Sequence, residues 1–459
     1  METSKIKKER IVVGIDIGTT KIVCLIGKKN EKGEIDIIGK GKTESIGVKR
    51  ADIINVLETS KSVKLAVEQA EAQSGYKVSE VFVGIAGSNI RSEMNRAFLE
   101  INEEGHIISK EDIDKLTKEQ FNLKLEPGQK IIDIVPQSYK VDGMVGEIAP
   151  DLIVGVPGKR LECTYRYISA NLDNINNIRR SVKDAGYEIK NLLLQPICSA
   201  EAVTDEEERD AGVCLVDIGG GTTDVAIYHQ GIMRYTSVIQ LAGDVISKDI
   251  ETACNIVPKQ AKALKEQFGD CIFDKNQENE IICIPGIRGM AQKEISKATL
   301  TNVIKARLED ILGQVLYDIK QSGYDRSLVA GIVLTGGGAM IKNITNLTSY
   351  ITEGISTRIG KSNDYLVKTN EVAKELEHPM YATVVGLLIK GFEYYEENEP
   401  IVEEPEPIEE PVAPEPIVEE PEKKKEKSSK KKEKKEKSND GVIEKVQGFF
   451  KRILKDGME

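Results

Sequence analysis

One short pattern occurs twice in this chain. Gly14-Ile15-Asp16-Ile17-Gly18-Thr19-Thr20-Lys21 returns as Val216-Asp217-Ile218-Gly219-Gly220-Gly221-Thr222-Thr223-Asp224, each time after one apolar run and before another. Such a repeat implies two halves of similar design. A hairpin tipped with Gly and Thr lets backbone N–H groups and short hydroxyls approach phosphate oxygens. The expected phosphate contacts are Gly18, Thr19, Thr20 and Lys21 in the first turn and Gly219, Gly220, Gly221, Thr222 and Thr223 in the second. Asp16 and Asp217, at strand ends, are placed to hold Mg²⁺ through water, because that ion keeps much of its hydration shell. Lys21 supplies a point charge to the outer phosphates. A single turn of this kind could be a structural hairpin; two facing copies read as a phosphate clamp.

A third glycine cluster, Gly336-Gly337-Gly338, follows a strand and opens a helix, which suits close approach to a nucleoside. Gly41-Lys42-Thr43 resembles the end of a Walker A loop, but Asp36 occupies the position where that loop requires glycine, so it is no P-loop.

Around these turns, residues 12–17, 21–26, 81–85, 213–218, 225–228 and 331–334 are short β-branched runs bounded by glycine, and 53–73, 175–185, 261–268 and 300–322 carry helical periodicity. The chain is therefore α/β. The segment 90–167 differs, with short polar strands at 131–135, 137–141 and 161–168 and a helix capped by Ser109 with Asp112 three residues on, and it reads as an insertion.

Composition removes several function classes. Lys+Arg 64 against Asp+Glu 75 leaves a net charge of −11, and Trp is absent, so a general nucleic-acid binder is not expected. Seven cysteines without a C-x-x-C pair read as reduced core thiols, and three histidines offer little for a zinc cluster or a His-based triad. The longest uncharged stretch is too short and too glycine-rich to span a bilayer.

After Phe392 the composition changes. Residues 393–422 hold 13 Glu and seven Pro with no basic residue, and 423–437 hold ten Lys against three Glu, so 393–440 is expected to be an extended, disordered linker. The closing segment 441–459 is amphipathic. Val442, Ile443, Val446, Phe449, Phe450, Ile453 and Leu454 share one helical face, with Lys445, Lys451, Arg452 and Lys455 around it. Such a helix on a tether is expected to lie in an anionic membrane interface; its seven apolar groups offer ~10 kcal/mol of gross transfer energy.

The order of two phosphate turns and an adenosine turn resembles the actin, DnaK-chaperone and sugar-kinase superfamily, and within it most closely the FtsA family. Val83-Gly84-Ile85-Ala86-Gly87 before the insertion, Pro136-Gln137-Ser138-Tyr139 with Val141-Asp142-Gly143, Gly158-Lys159-Arg160-Leu161-Glu162, and the tethered amphipathic helix carry that likeness. The resemblance implies an actin-like fold of two RNase-H-like halves around ATP and Mg²⁺. It divides the chain into subdomain 1A (9–85, 165–203 and 375–392), an inserted α+β subdomain 1C (86–164), 2A (204–243 and 310–374) and 2B (244–309). It implies that Gln195 orients an attacking water beside Asp16 and Asp217, and that Lys265 lies by the adenine and ribose, with Lys262 standing where Glu is usual. It also implies Lys293 and Arg307 as a basic site for the FtsZ C-terminal peptide, self-assembly into filaments, other division proteins on 1C, and a peripheral location on the cytoplasmic face of the membrane at the septum. Alternatives from the same superfamily are a PilM-like pilus or secretion adaptor and a small-molecule kinase.

Overall fold

A computed structural model describes residues 10–398, except 88–89, 102–104, 143–145, 274–279, 287–290, 363–364 and 369–370. The first half contains β1 (Ile11–Ile17), β2 (Lys21–Lys29), β3 (Ile35–Glu44), the two-residue strands β4 (Val48–Lys49) and β5 (Asp52–Ile53), α1 (Val56–Ser74) and β6 (Glu80–Ile85). The insertion follows, with β7 (Arg91–Glu100), α2 (Lys110–Gln120), β8 (Gln129–Val141) and β9 (Arg160–Asn171). α3 (Leu172–Asp184), β10 (Glu188–Leu194) and α4 (Gln195–Val203) complete that half.

After α5 (Glu206–Ala211) the second half runs β11 (Val213–Ile218), β12 (Thr223–His229), β13 (Ile232–Ile239), α6 (Gly243–Cys254), α7 (Pro258–Phe268), β14 (Ile281–Ile284), β15 (Lys293–Ser296), α8 (Lys297–Ser322), β16 (Gly331–Thr335), α9 (Ile344–Ile351) and β17 (Thr357–Ile359). α10 (Glu371–Leu376) and α11 (Ala382–Asn398) then lead back to the first half.

The repeat seen in the sequence is a repeat of topology. The first sheet has the order β3-β2-β1-β6-β10 and the second β13-β12-β11-β16-β17. In each, three strands form an antiparallel meander and two more join in parallel beyond the first strand. The central strands β1 and β11 are buried almost throughout, which is why they read as continuous apolar runs rather than alternating ones.

The insertion is a three-stranded antiparallel sheet of order β7-β9-β8 with its own core around Leu116, Tyr139, Leu161 and Tyr165. The helix expected at Ser109 is present, with Ser109 Oγ accepting from the Asp112 N–H at 3.2 Å and Asp112 Oδ2 accepting from the Ser109 N–H at 2.9 Å. One expectation is corrected. The runs 131–135 and 137–141 form one strand whose register shifts around Pro136, since proline lacks the ladder donor. β7 escaped the sequence reading; it pairs with β9 although its pattern is largely polar.

The linker expected from residue 393 begins later. α11 continues to Asn398, because Tyr394 and Tyr395 pack edge-on against Phe82 at 5.6 and 5.4 Å and Arg10 stacks over Tyr395 at 4.6 Å. Residues 399–440 and the amphipathic segment 441–459 lie outside the described residues. No helix among the described residues is long and apolar enough to cross a membrane. Of the seven cysteines, all free, only Cys283 is exposed.

α11 crosses α4 at Gly386, where a Cβ would stand 1.7 Å from the Cys198 carbonyl oxygen. Gly386→Ala is therefore expected to lower stability by about 1–3 kcal/mol in urea unfolding. Gly313→Ala in α8, where a Cβ would meet nothing within 4 Å, should leave it unchanged or raise it by up to about 1 kcal/mol.

Candidate functional site

The two repeated turns face each other. A Cβ on Gly220 would stand 2.4 Å from Thr20 Oγ1, and one on Gly221 would stand 2.5 Å from Thr19 Oγ1. Each turn closes on itself, Gly18 N–H to Lys21 O at 3.0 Å and Gly219 N–H to Thr222 O at 2.9 Å. The first is braced by the β4–β5 hairpin, whose tip residues Arg50 and Ala51 both have positive φ and whose Ala51 N–H donates to Thr19 Oγ1 at 3.0 Å.

Behind the tips, Asp16 and Asp217 are joined by a third carboxylate, Asp224. The β11–β12 register sets Asp224 directly across from Asp217. Gln195, opening α4, donates from Nε2 to Asp16 Oδ1 at 3.1 Å. One turn later Ser199 donates to Asp217 Oδ2 at 2.8 Å, and Thr383 of α11 reaches the same oxygen at 3.3 Å. Asp224 Oδ1 is buried without a hydrogen-bond partner.

Burial pushes the Asp16 carboxyl up to about 6, opposed by the charge of Lys21 and reinforced by Asp217. Asp217 is raised by burial, with Ser199, Lys21 and Thr383 pulling the other way. Asp224 is raised furthest in kind, by burial and then by the charges of Asp217 and Asp16. This is a group of carboxylates short of positive charge.

The third glycine turn closes the site. Gly336 has φ +82, and a Cβ there would stand 2.3 Å from Asp217 Oδ1, whereas Gly337 faces open space and Gly338 packs on Ile218. Pro379 O accepts from the Gly336 N–H at 3.3 Å and from Thr335 Oγ1 at 3.1 Å, tying this turn to the start of α11.

Other expected residues fall differently. Thr223 is fully buried and its hydroxyl donates to Leu241 O at 2.7 Å, so it braces the second turn from behind. Lys265 Nζ donates to Gly243 O at 2.6 Å, and Gly243 and Asp244 donate to Gly219 O and Gly220 O at 3.1 and 2.8 Å, which ties α6 and α7 to the second turn. Lys262 and Lys265 both act on the exposed Asp244, so the lysine at 262 has an acid to face. In β15 and α8, Lys293 donates to Asn255 O at 2.9 Å, and Arg307 is held by Asp249 at 2.6 and 3.3 Å and by Asp310 at 2.9 Å. Asp224, Ser199 and Thr383 escaped the sequence reading. Only Asp224 left a signal, as the position opposite Asp217 once the turn is taken as a hairpin.

These residues fit a hydrated cation beside phosphates: an orphaned buried carboxylate oxygen and a glycine pressed against Asp217 leave a small, anionic niche. No group of three or more His, Cys, Asp or Glu among the described residues is arranged as a metal cage. A hydrated Mg²⁺ sharing its shell with phosphates does not require one.

Comparisons with known proteins agree on one family. The family model "Cell division protein FtsA" matches residues 214–386, and "SHS2 domain inserted in FTSA" matches 87–169. The cell division protein FtsA of Neisseria meningitidis serogroup B is 32% identical over 383 residues, covering 83% of this chain and 90% of that protein. That of Escherichia coli K12 is 30% identical over 407 residues, covering 87% and 94%. Among solved structures, a chain of the PilM–PilN type IV pilus biogenesis complex superposes with a TM-score of 0.60 at 12% identity, covering 83% of this chain and 98% of that one, a likeness of fold.

Because Asp224 carries a raised carboxyl, its ionisation costs the folded state stability that is lost as pH rises. Asp224→Asn is expected to stabilise the fold by on the order of 1 kcal/mol, read as a higher thermal midpoint in EDTA, with a larger rise at pH 8 than at pH 5. A midpoint lowered equally at both values would contradict the charge argument.

Proposed function

The chain belongs to the FtsA family of cell-division proteins, and on that premise we propose that it binds Mg·ATP where its three glycine turns converge, assembles with its own copies and tethers FtsZ filaments to the cytoplasmic face of the membrane. The observation that carries the nucleotide reading is the pair of facing turns backed by three carboxylates, Asp16 and Asp224 buried and Asp217 partly buried.

In this reading Gly18, Thr19 and Thr20 and Gly219, Gly220, Gly221 and Thr222 present N–H groups and hydroxyls to the phosphates, and Lys21 supplies a fixed positive charge. Asp16 and Asp217 hold Mg²⁺ through its water shell, while Gly336, Gly337 and Gly338 leave room for the nucleoside. When bound, Mg·ATP would supply the Mg²⁺ charge that the carboxylates lack and phosphate oxygens for the donors of both turns. Gln195, whose Nε2 is engaged by Asp16, keeps Oε1 to orient a water, which suits slow hydrolysis at most. Lys265 acts through Gly243 and the second turn. Binding then biases the relation of the two halves, a population shift rather than a chemical output.

The cationic residues Lys293 and Arg307 form the face for the FtsZ C-terminal peptide. Arg307 exchanges Asp249 and Asp310 for acidic groups of that peptide, so recognition is a swap of ion pairs. Other division proteins meet the insertion. The amphipathic segment 441–459 lies in the membrane interface with Phe449 and Phe450 inserted, and the charged stretches before it form the tether.

Two experiments test this. Calorimetry with Mg·ATP should show Asp217→Ala binding at least about tenfold more weakly than the unaltered chain; equal affinity removes Asp217 from the site. In liposome co-sedimentation, the full chain should pellet and carry FtsZ with it, whereas Phe449→Glu with Phe450→Glu should leave both in the supernatant. Undiminished pelleting of that variant refutes the anchor.

A further inference from the structure

A broad groove in the described part of the molecule lies away from the glycine turns. It encloses about 520 Å³ where β8, an edge strand of the inserted sheet, approaches β10, an edge strand of the first sheet, under α3. Its rim carries Lys130, Arg179, Lys183 and Lys190 against Glu188 alone. Lys190 pairs with Glu80 at 3.6 Å, whereas Lys130, Arg179 and Lys183 make no ion pair or side-chain hydrogen bond among the described residues. Its floor is aliphatic, with Ile131, Ile175, Ile189 and Leu192. A groove with an apolar floor, a cationic rim and strand edges on both sides suits an extended peptide of alternating aliphatic and acidic residues.

That chemistry is written in the chain itself, twice. Glu399-Pro400-Ile401-Val402-Glu403-Glu404-Pro405-Glu406 returns without change as Glu415-Pro416-Ile417-Val418-Glu419-Glu420-Pro421-Glu422. Eight identical residues in a tract otherwise constrained only to be polar point to a recognised ligand rather than a spacer. Each octapeptide offers an Ile-Val pair for an aliphatic floor, four glutamates for a cationic rim and prolines that favour an extended backbone.

We propose that this groove receives the octapeptide of a second copy of the chain. The two octapeptides start 16 residues apart, about 50 Å at the ~3.1 Å per residue of an extended proline-rich chain. A compact body of about 390 residues scales to a similar diameter, about 50 Å. One tail can therefore engage the grooves of two neighbouring copies, and two weak contacts add through effective concentration.

The test mixes isotopically light and heavy full-length chains, joins contacting carboxylates and amines with a zero-length carbodiimide, and reads the linked peptides by mass spectrometry. Links from Lys130, Lys183 or Lys190 to glutamates of 399–406 or 415–422 are expected, with light–heavy pairs among them. Ile401→Asp with Ile417→Asp in the full chain should abolish them although it adds negative charge. A fluorescent peptide of the octapeptide sequence should bind the full chain about tenfold more weakly once Arg179→Glu and Lys183→Glu are introduced, with circular dichroism confirming the fold. Links within single-isotope pairs only would place the tail on its own copy and overturn the second-copy assignment. Absence of these links, links indifferent to the aspartates, or equal peptide affinity would overturn the groove.

Discussion

Gln195 and Ser199 stand one helical turn apart on α4 and donate to carboxylates that belong to different sheets, Asp16 on β1 and Asp217 on β11. Hydrogen bonds to charged groups are worth about 1.5–3 kcal/mol each, so α4 is a rigid spacer whose position both halves must respect. Thr383 adds a second donor to Asp217 from α11, and the two helices approach closely enough for this only because Gly386 presents no side chain to Cys198. The remaining geometry follows. Pro379, just before α11, holds the third glycine turn, and that turn in turn presses on Asp217.

The same arrangement concentrates negative charge. Three carboxylates share a buried volume with Lys21 acting on two of them, and Asp224 lies opposite Asp217 in a ladder where like charges are unfavourable. A core selected for stability alone would replace Asp224 with a residue like Val23, its counterpart beside Asp16 in the first hairpin. The two hairpins are thus alike in backbone and unlike in charge. The asymmetry assigns the polar demand to the second turn, where Gly243 and Asp244 of α6 already hold the carbonyls of Gly219 and Gly220. A cation there bears on β11, α4, α6 and α11 at once, which is how a small ligand could bias the arrangement of large parts.

What was legible in the sequence is what is local. The repeated turns, the six apolar strands and the Ser109 cap depend on residues within a few positions of one another, and they stand where the patterns put them, to within a few residues. What was not legible depends on partners far along the chain. Ser199 and Thr383 are ordinary helix residues until α4 and α11 cross, and nothing near either position announces Asp217. β7 was not singled out, because its pattern is largely polar, yet it pairs with β9 throughout its length. The tail of α11 looked like linker because Glu393, Glu396 and Glu397 belong by composition to the acidic tract; Phe82, distant in sequence, makes helix of it by receiving Tyr394 and Tyr395. Arg307 could be read as a cation but not as an occupied one, since Asp249 lies 58 positions away.

The charge order of the tail bears on what it can reach. Residues 393–422 are acidic and 423–437 basic, with the amphipathic segment beyond. An anionic surface attracts the lysines and repels the glutamates, and that field decays over a Debye length of about 8 Å at physiological salt. The lysine-rich stretch spans several such lengths when extended, about 45 Å for its 15 residues. If the terminal segment is anchored as proposed, that extent would be enough to hold the acidic octapeptides outside the repulsive layer. On the proposed function, the gross transfer energy of that segment, ~10 kcal/mol before ordering costs, would support only reversible attachment of one copy. Contacts between copies would then become the decisive term, because each added copy would make the attachment of its neighbours effectively intramolecular. A reversed order, with acid beside the membrane segment, would weaken the anchor and bring the lysines against the cationic groove. On the proposed function, this order would let one tail serve membrane and neighbour without setting the two against each other.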